Sequence, residues 1–112
     1  MGLDAVVLRP VGDDTAVLDD VVVDARLGNI SMIGHLRERV ARLLPPSSLL
    51  VEKVLYSGTH CGDALAADLM PRLKLELDIL ARDDDPYVRA FRQHMTMLAD
   101  AATAQGTAIT FV

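Results

Sequence analysis

The sequence predicts an α+β domain, a small and mainly antiparallel sheet with about three helices packed on one face. Three observations lead there. β-Branched runs gather near the N-terminus, apolar residues recur at helical spacing in later segments, and the two patterns do not alternate strictly. A small parallel α/β sheet is the second arrangement compatible with this order. The chain has 112 residues, 51 % of them apolar, so residues 1–112 are expected to form a single α+β domain. That apolar content is enough for one core without disulfides or metals. Aromatics make up 4 % and tryptophan is absent, so the core must be aliphatic.

Ala5 to Leu8 reads as a short strand closed by Pro10 and Gly12, and Asp13-Asp14 marks a turn. Ala16 to Leu18 and Val21 to Val23 continue a hairpin or small meander. Ile33, Leu36, Val40 and Leu43 then follow at spacings of three, four and three, the stripe of an amphipathic helix. Asn29 or Ser31 can cap it, because either side-chain oxygen accepts from a free backbone N–H. Pro45-Pro46 ends it, and Glu38 and Arg42 stand in the favourable i, i+4 order.

Leu49 to Tyr56 reads as a strand, with Val51, Lys53 and Leu55 on one face and Leu50, Glu52, Val54 and Tyr56 on the other. Ser57 to Asp63 is rich in turn formers and reads as a loop. Residues 66–82 fit either period, since Leu73, Leu75, Leu77 and Ile79 alternate while Leu69, Leu73, Leu77 and Leu80 follow a helix. Helix propensity decides for a helix with Pro71 in its first turn. Asp85 and Pro86 form a helix start, as cap and first helical residue. Val88, Phe91, Met95, Leu98 and Ala102 continue at helical spacing, Gly106 stops the helix, and residues 107–112 read as a closing strand. Leu36, Val40, Phe91, Met95 and Leu98 are the predicted core.

The formal charge of −5 argues against a primary nucleic-acid binder, which needs basic surface to displace phosphate counterions. It suits a basic protein partner. The single cysteine, Cys61, allows no intrachain disulfide, and the N-terminus shows no basic-then-apolar signal pattern. No apolar run approaches the roughly 20 residues of a membrane span, so a cytoplasmic protein without a membrane partner is expected.

The conspicuous chemistry lies in Tyr56-Ser57-Gly58-Thr59-His60-Cys61-Gly62-Asp63. A phenol, two hydroxyls, an imidazole, a thiol and a carboxylate are grouped there with two glycines, which let backbone amides approach a partner closely. Cys61 as a nucleophile needs a base, and adjacent side chains such as His60 usually point apart, leaving His35 or His94 to approach through space. As a metal site, His60, Cys61 and Asp63 lack the spaced pairs of a zinc signature. As a plain turn, Ser57, Thr59 and Asp63 hydrogen-bond the loop backbone. As a recognition loop, Tyr56, Ser57, Thr59, His60 and Asp63 contact a partner. The segment has neither the lysine nor the spacing of a phosphate-binding loop, and Ser57 lacks the glycine-flanked elbow of a hydrolase. His35, Arg37, Arg39 and Arg42 make one side of the first helix basic, a face expected to be solvated, and His94 lies beside the last apolar stripe and is expected to be exposed.

Three stretches carry a resemblance: the opening Met-Gly-Leu-Asp-Ala-Val-Val, the Leu36-Arg37-Glu38 helix after Gly28-Asn29, and Val54 to Asp63. With these the chain resembles small bacterial immunity proteins of polymorphic-toxin and secretion-system effector pairs. The resemblance spans most of the chain, and only the last stretch is specific. It implies a non-enzymatic inhibitor that binds a cognate toxin, with no cofactor and no catalytic residue to carry over. The expected contact surface joins the Tyr56–Asp63 loop to acidic residues among Asp13, Asp14, Asp19, Asp20, Asp63 and Asp83 to Asp85, with service to the helix start alone as the other reading of the last three. A small ligand-binding or regulatory domain using the same loop is the alternative, and a thiol enzyme built on Cys61 is the third reading.

Overall fold

The computed structural model describes residues 2–8, 21–56 and 64–112. Strands β1 (Gly2–Leu8), β2 (Val21–Asn29), β3 (Ala64–Leu65) and β4 (Ile109–Phe111) form one antiparallel sheet in the order β2-β1-β4-β3. Helices α1 (Ile30–Ala41), α2 (Met70–Leu80) and α3 (Pro86–Gln105) complete the α+β fold. The expected strand at Ala16–Leu18 and the turn at Asp13-Asp14 lie outside the described residues.

Alternation along β1 decides which face is covered. Leu3, Ala5 and Val7 are fully buried, as are Ile109 and Phe111 of β4 and Leu65 of β3, while Asp4, Val6 and Leu8 point the other way and stay half-buried. α1 and α3 lie on the buried face, and α2 packs against α3. The predicted core residues Leu36, Val40, Phe91, Met95 and Leu98 are all buried.

The helix ends follow from their caps. Asn29 Oδ1 accepts from Met32 N–H at 2.8 Å and starts α1. Gly28 just before it has φ +151°, and a Cβ there would stand 2.7 Å from Met32 Cγ, so the passage from β2 into α1 requires glycine. Asp85 Oδ1 accepts from Tyr87 and Val88 N–H at the start of α3, with Pro86 at the first position, and Gly106 closes the helix at φ 67°. Pro71 falls in the first turn of α2.

The strand expected at Leu49–Tyr56 is instead a turn of π-helix, Leu50–Val54, in which Leu55 N–H donates to Leu50 C=O. Burial falls on Leu49, Leu50, Val54 and Leu55 rather than on alternate residues, as a single helical turn requires. The cause lies in α2. The buried Glu76 carboxylate accepts Leu49 N–H at 2.9 Å and Leu50 N–H at 3.0 Å, occupying amides that a β-ladder would have used. Arg72 holds that carboxylate at 3.4 Å and donates to Ser47 C=O at 2.8 Å. The short strand β3 that follows has only two residues and no sequence period that announces it.

Phe91 is 1 % exposed and sits where α3 faces the sheet core. Phe91→Ala is expected to cost about 3–5 kcal/mol of unfolding free energy in urea titrations, a large part of a typical domain's stability. An unchanged midpoint would show that α3 is not packed on the sheet as described.

Candidate interaction surface

Of the residues singled out for partner binding, the structure describes Tyr56. Ser57, Thr59, His60 and Asp63, with Cys61, lie outside the described residues. Tyr56 follows the π-helical turn, directly after its capping residue Leu55, and is substantially exposed, at 44 %. Its carbonyl accepts Arg37 Nη1 at 3.1 Å, so the basic side of α1 holds the residue from which the 57–63 segment departs. The chain resumes at Ala64, paired with Thr110 of β4. Glu52, Lys53, Tyr56 and Ala64 together line an open cleft of about 360 Å³. Both ends of the candidate recognition segment therefore meet at one place, the β3 edge of the sheet.

That place adjoins the sheet face turned away from the helices. Ala64, Thr110, Val6 and Asp24 stand opposite one another across all four strands. Each alternates with an inward residue: Leu65 beside Ala64, Ile109 and Phe111 around Thr110, Ala5 and Val7 around Val6. Beside this row Asp4 pairs with Arg26 at 3.3 Å, and Asp4, Val6, Asp24, Arg26 and Val112 border a shallow hollow of about 390 Å³. The face is mixed, with two carboxylates and one guanidinium around the half-buried Val6 and the exposed Val112. Sequence reasoning missed Asp4 and Asp24, although polar residues alternating with Ala5, Val7, Val23 and Ala25 mark them as outward-facing.

Two of the expected acidic contacts serve the fold. Asp83 receives two hydrogen bonds from Arg39, Nε at 3.0 Å and Nη2 at 2.6 Å. The Arg39 hydrogen bond holds the Asp83 carboxyl below its ordinary range, helped by the Asp85 N–H, and the same bond raises Arg39. Asp85 caps α3 and meets His35 Nε2 at 2.9 Å. Burial pushes the Asp85 carboxyl up, but the His35 bond and the Val88 and Tyr87 amides outweigh it and leave it lowered. Asp83 and Asp85 thus latch the start of α3 to α1. Arg39 and His35 are correspondingly not the purely solvated face expected for this helix. The Tyr87 ring stands edge-on to His35 at 5.7 Å, so His35 is committed to this junction. His94 is half-buried rather than exposed.

Among the described residues no cluster of three or more His, Cys, Asp or Glu could hold a metal ion, and no helix is long and apolar enough to cross a membrane. No family model, curated protein or solved structure matches the chain.

Because Asp83 and Asp85 titrate lower in the folded than in the unfolded chain, their contribution to stability is present above the ordinary carboxylate value, about pH 4, and is lost as pH falls below it. Unfolding free energy measured across the acid range should drop there. In Asp83→Asn the drop should be smaller and stability near neutrality lower. Identical pH profiles for the two proteins would show that the Arg39 tie contributes nothing.

Proposed function

We propose that this protein is a non-enzymatic binding protein, an immunity protein that neutralises a cognate bacterial toxin by direct contact through the Tyr56–Asp63 segment and the sheet face beside it. The observation that carries the reading is that Tyr56 and Ala64, the described residues on either side of the 57–63 segment, line one cleft beside the sheet face turned away from the helices. A half-exposed tyrosine supplies the large, rigid contact area typical of protein interfaces. The Val54–Asp63 resemblance and the formal charge of −5 support it. Toxins that act on nucleic acid or another anionic substrate often carry a basic cleft, and an acidic inhibitor is drawn to such a cleft over roughly 8 Å at physiological salt. A cytoplasmic site of action fits this role.

The alternative, a small ligand-binding or regulatory domain, is favoured by one feature. The cleft lined by Glu52, Lys53, Tyr56 and Ala64, about 360 Å³, falls within the roughly 300–1,000 Å³ of small-molecule sites.

Co-expression with the toxic domain encoded beside its gene should rescue growth and yield a complex. Its association rate should fall as salt rises, while its dissociation rate should change little. Tyr56→Ala should weaken that complex by about tenfold or more in a protein that circular dichroism shows to be folded. Cys61→Ser should still protect. Failure to rescue or bind, together with a tight small ligand from a metabolite screen, would replace this reading with the ligand-binding one. A folded Cys61→Ser protein without activity would favour thiol chemistry.

A further inference from the structure

The two edges of the sheet differ. β3 has two residues and offers little backbone to an incoming strand, whereas β2 has nine, without proline or lysine. Long edges of this kind are templates for pairing with another chain. The apolar layer also reaches the β2 edge incompletely covered: Val23 and Ala25 are half-buried, while Ala5 and Val7 beside them on β1 are fully buried.

The charges on β2 select the occupant. Asp24 and Arg26 flank Ala25, are exposed, and face the side of the sheet turned away from the helices. Two copies of β2 related by a two-fold axis through Ala25 place Asp24 of each opposite Arg26 of the other, giving two cross-strand ion pairs on either side of the Ala25 pair. Opposite charges facing each other across antiparallel strands are stabilising and like charges destabilising. In the single chain Arg26 engages Asp4 and is still 55 % exposed, and Asp24 has no side-chain partner among the described residues. Register breaks between β1 and β2 at Val22 and Leu27 bound a regular stretch from Val23 to Arg26. Asp24, Ala25 and Arg26 lie within that stretch, so the three residues that pair most directly across the two-fold are regular strand, and the charge pairing selects the register.

We propose that two copies of this chain associate edge to edge through β2, antiparallel about Ala25, joining their four-stranded sheets into one. The contact is isologous, as a two-fold dimer requires. It lies at the edge opposite β3, so both Tyr56 clefts stay open at the outer ends, and the dimer neither needs nor excludes the binding role proposed above.

The test is solution mass by light scattering and analytical ultracentrifugation. The wild-type chain should show twice its 12.1 kDa at high concentration and dissociate on dilution. Asp24→Arg places Arg opposite Arg at both positions and Arg26→Asp places Asp opposite Asp, so each variant alone should be monomeric. An equal mixture of the two restores opposite charges throughout and should recover the doubled mass. Asp4→Ala removes only the intrachain pair and should remain dimeric. Circular dichroism melts check folding, and a loss of dimer in an unfolded variant would still be tested by the wild-type mass and by Asp4→Ala. A wild-type monomer at all concentrations overturns the proposal. So do folded variants that stay dimeric alone, or a mixture of folded variants that stays monomeric.

Discussion

The Glu76 carboxylate is the acceptor on which the middle of the molecule turns. It lies on the inner side of α2, 7 % exposed, with one oxygen on Leu49 N–H and the other on Leu50 N–H. Buried amides without acceptors each cost about 1–3 kcal/mol, so two of them cannot be left open in this core. Glu76 satisfies both from a helix that follows later in the chain. In doing so it fixes the start of the π-helical turn, and therefore the direction in which Leu55 and Tyr56 leave it. Arg72 neutralises the carboxylate from the exposed side and ties Ser47 to the same helix. The position of Tyr56 beside Ala64 is thus a consequence of a polar contact buried behind it.

A second polar junction sets the helix layer. Asp83 and Asp85 bind Arg39 and His35, so that the capping residue of α3 also orients α1. α1 in turn donates from Arg37 to the Tyr56 carbonyl. The two junctions converge on one residue from two directions: Glu76 holds the beginning of the turn and Arg37 its end. Apolar packing alone, non-directional and spread over many aliphatic side chains, would not define that geometry.

Local signals in the sequence carried the helices and the core. Asn29, Asp85, Pro86 and Gly106 each act within a residue or a few of their own position, and each stands where the structure uses it. The 49–56 segment alternates as a strand does while its burial follows a helical turn, and the deciding partner lies 26 and 27 residues away. One signal was present: Glu76 follows Leu73 by three and precedes Leu80 by four, placing a carboxylate on the apolar stripe of α2. A charged residue there asks for a buried donor. β3 was illegible because two residues show no period. The roles of Asp83 and Asp85 were half legible, as a helix start but not as partners of a helix more than forty residues earlier. The grouping of Tyr56 with Ala64 depends on strand order, which no local pattern encodes.

The central claim is that Glu76 shapes the turn that presents Tyr56, and amide hydrogen exchange at Leu49 and Leu50 tests it most directly. In the wild-type protein both amides should exchange slowly, near the rate of global unfolding. In Glu76→Ala they should lose that protection, together with a shift of the Tyr56 resonances, while the β1–β4 ladder amides remain protected. Fast exchange at Leu49 and Leu50 in the wild-type protein, or protection that survives Glu76→Ala, would contradict the account.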